Sequence, residues 1–261
     1  MQFSFVLVRP QFSGNLGAIA RAMKNMGFAD LRLVEPEVTA KDAEARKMAV
    51  HATDVLDQTR TFWDLKDALT GLDLVAGTSR RVGKDRMGAM TPREFAEFCL
   101  SLPRDSRIAV LFGTEDTGLT GEELKYCQRV VSIPSHPGFP SLNLAQAVMI
   151  VCYELYLALQ SEGRPPLGAG KTAMAKIAVS AEGTLAKAAA SAEAALAKAE
   201  NLEAMYGDLE DLLSQSGFLD KNNPEHLMQL LRNLFSRALP TEKEVKILRG
   251  ICRQLRWWAD Q

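Results

Sequence analysis

Between residues 3 and 159, short β-rich runs alternate with helical patterns, and this constrains the fold more than any other feature. The runs are FSFVLV (3–8), LRLV (31–34), DLVAG (73–77), RIAVLF (107–112) and VVSIP (130–134). Helical patterns lie near 15–27, 40–50, 60–70, 91–101 and 120–127, and a long one covers 143–160. Apolar strands separated by helices predict an α/β domain with a mainly parallel sheet covered on both faces. Ligands of such sheets bind outside the carboxyl ends of the strands. The residues just after each strand are therefore the first place to look for function.

Composition shifts at residue 161. SEGRPPLGAG reads as a linker from its glycine and proline content. Residues 173–200 are dominated by alanine with scattered lysine and glutamate. Such a stretch suits a long helix or a tether with little to bury. The last piece reads as all-helical, near 201–216, 224–238 and 241–258, with helix starts at Asn223-Pro224 and Pro240-Thr241. The expected division is 1–160, an α/β domain; 161–200, a linker or helix; and 201–261, a helical extension.

Several function classes are set aside at this stage. The formal net charge is -1, so nucleic-acid binding would have to come from local patches. Cys99, Cys127, Cys152 and Cys252 form no C-x-x-C pair, and three histidines argue against a zinc site. No metal is expected, and a reduced, cytoplasmic protein fits this cysteine usage. MQFSFVLVRP reads as a strand, not a leader. No apolar run approaches the length of a membrane span, so no membrane partner is expected. GAGKT at 168–172 is not a phosphate loop, because the pattern needs glycine where Pro165 stands and no strand precedes it. There is no G-x-S-x-G nucleophile elbow.

Four segments carry candidate chemistry. In SGNLGAIARAMKNMG (13–27), Leu16, Ile19, Ala20, Met23 and Met26 mark a buried helical face. Ser13 or Asn15 suits the cap and Gly27 the stop. Gly17, Arg21 and Lys24 lie on another stripe, and glycine would leave an open groove one turn before Arg21. Arg21 is either a solvated arginine or part of an anion site. TSRRVGKDRMGAMTPR, after the third run, sets Arg80, Arg81, Lys84, Arg86 and Arg93 against Asp85 alone. So dense a positive charge suits a polyanion. GTEDTGLTGEEL, after the fourth run, places Glu115 between Gly113 and Gly118, and Thr120 with Glu123 forms a capping box. After the fifth run, Ser141 and Asn143 stand at the mouth of an apolar helix, as caps or as site residues.

Taken together, these segments resemble the SPOUT superfamily of S-adenosylmethionine-dependent RNA methyltransferases, in the branch that methylates ribose 2′-hydroxyls. The first motif is N-x-G-x-x-x-R-A, here Asn15, Gly17, Arg21 and Ala22. The second is F-G-x-E-x-x-G-L, here Phe112, Gly113, Glu115, Gly118 and Leu119. The third is I-P followed by S-L-N-x-A-x-A-V and Y-E, here Ile133-Pro134, Ser141 to Val148 and Tyr153-Glu154. The tail, with HLMQLLRNLFSRALPTEKEVKILRGICRQL, resembles the C-terminal extension of the TrmJ subgroup, which methylates the ribose of position 32 in the tRNA anticodon loop. The alanine-rich stretch is longer than that resemblance leads one to expect.

The resemblance implies an α/β parallel sheet flanked by helices, a C-terminal deep trefoil knot and a small all-α extension. It implies a homodimer with the active site at its interface, tRNA as partner and S-adenosylmethionine as cofactor. Arg21 would be the catalytic arginine, with Asn15, Ser141 and Asn143 in the catalytic group and Asn15 fixing Arg21 or the RNA backbone. Thr78, Ser79, Gly113, Glu115, Ile133 and Leu142 would hold the cofactor. Arginine stays protonated in proteins, so its role is weighted toward orienting the hydroxyl and stabilising negative charge, a transient neutral guanidine being the alternative. Arg80, Arg81, Lys84 and Arg86 are the expected RNA contacts of the first domain. In the tail, Lys246, Arg249, Arg253 and Arg256 step by 3, 4 and 3 into one basic stripe for tRNA. Leu248, Ile251 and Leu255 form an adjacent apolar stripe for packing, and Trp257 and Trp258 suit either stacking on a base or packing. Ribosomal RNA is the alternative substrate, and a non-enzymatic RNA-binding scaffold the third reading.

Overall fold

The structure is a computed structural model that describes residues 1–80, 89–161, 195–219 and 224–259. Its first part is built on six strands: β1 (Gln2–Val8), β2 (Asp30–Val34), β3 (Arg60–Phe62), β4 (Leu74–Thr78), β5 (Arg107–Phe112) and β6 (Arg129–Val131). They form one sheet in the order β3-β2-β1-β5-β4-β6, and every pairing is parallel. The helices between them are α1 (Ser13–Asn25), α2 (Ala43–Ala49), α3 (Thr53–Asp57), α4 (Leu65–Leu69), α5 (Pro92–Leu100), α6 (Gly121–Leu124) and α7 (Leu144–Ser161).

The central strands are buried on both faces, as parallel sheets require. Along β1, Phe5 and Leu7 join the larger core with Leu16, Ile19 and Met23 of α1, Phe95 of α5 and Val148 of α7. Val6 and Val8 point to the opposite face, against Leu65, Ala68 and Leu69 of α4. The period-two alternation of side chains sends neighbouring residues into separate cores. The helix termini follow local chemistry: Thr91 with Glu94 and Thr120 with Glu123 both close capping boxes. Gly27 ends α1 at φ +77.

Three local readings need correction. The helix expected over 60–70 is β3 followed by the short α4, capped by Asp64. β-branched Thr61 suits a strand, and Arg60 pairs across it with Asp30 on β2 at 2.7 Å. The short helix α3 adds an element the pattern did not show. And α7, at 18 residues, is long and apolar enough to cross a bilayer by length and composition. Instead it packs on α1 and α5, with Val148, Val151, Cys152 and Leu155 buried.

The tail helices are α8 (Ala199–Gln215), α9 (Pro224–Ala238) and α10 (Glu242–Ala259). They share a separate core that includes Leu202, Met205, Tyr206, Met228 and Val245. Most of the alanine-rich stretch lies outside the described residues; at its end Leu196 forms a bridge with Thr241. Several contacts seat the tail on the sheet domain. Glu200 accepts from the Gly71 N–H at 2.6 Å, and the Ala199 N–H donates to Leu72 at 2.8 Å. Buried Arg129, on the edge strand β6, lies over the Phe98 ring and donates to the Ser236 carbonyl of α9 at 2.6 Å.

Candidate active site

The carboxyl ends of β4, β5 and β6 and the start of α7 surround one cavity. Its apolar lining includes Phe112, Leu119, Val131, Ile133, Leu144 and Ala147. Thr78, Ser79, Thr114, Thr117 and Ser141 line it too, with Glu115 and Asp116. Arg80 stands exposed at its edge. The loop after β5 is drawn tight by its glycines. A Cβ on Gly113 would lie 2.1 Å from the Gly118 backbone, and Gly118 has φ +72. That close approach allows Thr114 to bridge Gly118, which turns the loop back over the end of the strand.

Glu115 joins the loop to α1. Its two oxygens accept from the Gln11 N–H (3.0 Å), the Phe12 N–H (3.3 Å) and Asn15 Nδ2 (3.0 Å). Asn15 Oδ1 in turn accepts from Asn143 Nδ2 at 2.9 Å. Asn143 Oδ1 caps α7, accepting from Ala145 at 2.9 Å. One chain of hydrogen bonds thus connects the glycine loop, the first helix and the apolar helix, with Asn15 lying 100 residues from Glu115 and 128 from Asn143 in sequence. Asp116, exposed beside it, is held below the usual carboxylate range by hydrogen bonds from the Thr114 side chain and the Thr117 N–H.

The six residues expected to hold a cofactor, Thr78, Ser79, Gly113, Glu115, Ile133 and Leu142, all line the cavity, as does Ser141. Thr78 already spends its hydroxyl on the Leu111 carbonyl at 2.8 Å. Thr114, Thr117, Leu119 and Leu144 also line it and were not singled out from sequence. Leu119 stood in the second motif, and the other three carry no chemical signal of their own. Asn15 and Asn143 are bonded to each other just outside the lining.

Arg21 stands apart. It lies exposed on the stripe of α1 that carries Gly14, Gly17 and Lys24, and it makes no hydrogen bond or ion pair among the described residues. Asn15 is bonded to Glu115 and Asn143, not to Arg21. Neither Ser13 nor Asn15 caps α1: Ser13 donates to Asp42 at 2.6 Å, and Phe12 occupies the cap position. Nor is the groove at Gly17 open. A Cβ there would lie 2.1 Å from the Ala45 carbonyl oxygen and 2.8 Å from Met48 Cβ. Gly17 is the contact point of α1 and α2.

Of the basic residues expected to meet RNA, Arg81, Lys84 and Arg86 lie outside the described residues. Lys246, Arg249, Arg253 and Arg256 do share one face of α10, where they line a trough over Gly250. Asp208 of α8 also lines it, pairing with Arg249 at 2.7 Å and Arg256 at 3.1 Å. The apolar stripe is displaced from its expected position. Val245, Leu248 and Cys252 face the tail core, while Ile251 and Leu255 are exposed. Trp257 and Trp258 are exposed as well.

The candidate site is thus a cavity of apolar and polar residues at the carboxyl edge of an all-parallel α/β sheet, with a glycine loop over it, which is where such sheets bind ligands. Comparison with known proteins makes this specific. Residues 2–153 match the model of the SpoU rRNA Methylase family, and residues 200–261 that of the tRNA methyltransferase TrmJ C-terminal domain. The chain is 43% identical over 249 residues to the tRNA (cytidine/uridine/adenosine-2'-O-)-methyltransferase TrmJ of Pseudomonas aeruginosa (strain UCBPP-PA14), covering 94% of this chain and 90% of that one. It is 37% identical to the tRNA (cytidine/uridine-2'-O-)-methyltransferase TrmJ of Escherichia coli (strain K12), covering 94% and 92%. The crystal structure of TrmJ from Z. mobilis ZM4 superposes with a TM-score of 0.77 at 29% identity, covering 98% of this chain and 100% of that one. The chain belongs to the SpoU methylase family, in its TrmJ branch.

Proposed function

We propose that this chain is a tRNA 2′-O-methyltransferase that uses S-adenosylmethionine and acts on the ribose of position 32 in the anticodon loop. The observation that carries the reading is the junction of three segments at one cavity. Glu115, Asn15 and Asn143 form one hydrogen-bonded chain beside a pocket built from the loops after β4, β5 and β6. The TrmJ-type tail favours tRNA over ribosomal RNA.

The pocket chemistry fits the cofactor. Phe112, Leu119, Ile133 and Leu144 offer an apolar bed for an adenine, the hydroxyls of Ser79, Thr114 and Ser141 suit its sugar, and the exposed Asp116 suits its amino group. When bound, S-adenosylmethionine supplies an electrophilic sulfonium methyl. The chain's own residues must then present the hydroxyl and stabilise the charge that develops on its oxygen. Arg21 serves the second task, since a guanidinium stays protonated and donates without acting as a base. Asn15, Ser141 and Asn143 hold the ribose side of the site. Because Arg21 is exposed and absent from the lining of its own chain's cavity, the site is completed in a homodimer, in which Arg21 of one protomer faces the pocket of its partner. Exposed Tyr153 and Leu157 on α7 support such an interface. β6 pairs beyond β4 at the sheet edge, whereas α7 returns to α1 and α5; this path supports a deep trefoil knot. The basic trough of α10 and Arg80 meet RNA phosphates, and a tRNA substrate supports a cytoplasmic enzyme.

The test is tritiated methyl transfer to unmodified tRNA, with nuclease mapping of the labelled ribose. Label at position 32 is expected. Arg21→Ala is expected to abolish transfer while calorimetry still records cofactor binding. Label on ribosomal RNA alone would reassign the substrate, and normal turnover by the variant would remove Arg21 from the mechanism.

A further inference from the structure

We propose that Phe139 is a stacking platform for an unpaired base of the RNA substrate beside the methylated ribose. The inference rests on the functional reading above and adds a substrate contact to it. Phe139 is 79% exposed, the most exposed large apolar side chain among the described residues. A phenyl ring left in water on a loose loop would carry little meaning, but this loop is braced from within. Ser135 Oγ donates to the Pro140 carbonyl at 3.0 Å, the Phe139 N–H donates to the His136 carbonyl at 2.9 Å, and the Gly138 N–H donates to His136 Nδ1 at 3.1 Å. Two prolines, Pro137 and Pro140, flank the ring and restrict its backbone.

The ring is therefore presented by a stiff turn, and the next three residues, Pro140, Ser141 and Leu142, line the cavity. Arg80 stands exposed at the same cavity. A second exposed ring, Phe12, lies three residues before Asn15, whose side chain is bonded to Asn143. An exposed ring and a cation beside a nucleoside pocket match the chemistry of a single-stranded loop: one takes the face of a splayed base, the other a phosphate. Holding the base fixes the ribose attached to it, which an attack on one methyl group requires.

The experiment compares F139A, F139L and F139Y in the full chain. Steady-state methylation of unmodified tRNA is measured together with cofactor affinity by calorimetry and mass by light scattering. F139A is expected to lower kcat/KM for tRNA roughly 5- to 150-fold, the range of a lost base–aromatic stack, with cofactor affinity and mass unchanged. F139Y should restore most of the loss and F139L should not, because leucine keeps the apolar bulk without the π-face. Full activity in F139A or F139L would overturn the proposal. So would a matching loss of cofactor affinity, or a change of mass, either of which would make the ring a structural contact. A wild-type chain that methylates no RNA would overturn the functional reading, and the stacking role with it.

Discussion

Glu115→Gln separates a ligand-binding carboxylate from one that holds the site together. In the native protein the carboxylate accepts three N–H bonds, from Gln11, Phe12 and Asn15. A glutamine amide offers one acceptor oxygen. Turned toward Phe12 and Asn15 it keeps two bonds, now without the charge, and sets an NH2 against the Gln11 N–H. Hydrogen bonds to charged groups contribute about 1.5–3 kcal/mol each and neutral ones about 0.5–1.5. Losing one and weakening two, at a site only partly buried, comes to about 1–3 kcal/mol. For a domain of this size that lowers Tm by about 2–12 °C, measured by circular dichroism. The loss should also couple to Asn15. In a double-mutant cycle of Glu115→Gln with Asn15→Ala, the interaction energy should be about 0.5 kcal/mol or more. An unchanged Tm, or strict additivity in the cycle, would refute the idea that Glu115 fastens α1 to the glycine loop.

Four further outcomes follow from the packing and the titrating groups. Gly17→Ala should destabilise by about 2 kcal/mol in urea denaturation, because its methyl meets the Ala45 carbonyl and overpacking outweighs the roughly 1 kcal/mol gained in helix propensity. Gly14→Ala, whose Cβ meets only the flexible Glu44 carboxylate, should be close to neutral. Burial raises the pKa of Asp30, but hydrogen bonds from Arg32, Ser4 and Arg60 outweigh it and leave the group below its ordinary value. A depressed carboxylate stabilises the fold above its unfolded pKa, about 3.9, and loses that contribution as pH falls through the lower folded value. The stability difference between wild type and Asp30→Asn should therefore be constant near neutrality and shrink only below about pH 4. Burial also pushes the Cys99 and Cys152 thiols up. Neither should react with a thiol reagent at pH 8 until the protein is unfolded, as peptide mass mapping would record.

The alternation of FSFVLV, LRLV and RIAVLF with helical segments was enough for a parallel α/β sheet, because strands buried on both faces must be apolar at nearly every position. The capping boxes at Thr91 and Thr120 were local and equally legible, although only the second was read. The ordered motifs around Asn15, Gly113 and Ser141 pointed to the family, and the loops that carry them line one cavity. What the sequence hid was partnership. Glu115 looked like a group for a ligand, yet its oxygens are turned to α1. Gly17 looked like an open groove, yet it is where α2 presses against α1. The basic stripe on α10 reads from sequence as a face for tRNA, yet Asp208 pairs with two of its arginines. Periodicity and local propensity act between residues a turn or two apart, so they are written in the chain. Which side chain meets which across 30 to 130 residues depends on how the elements are stacked, and only the tertiary structure decides that.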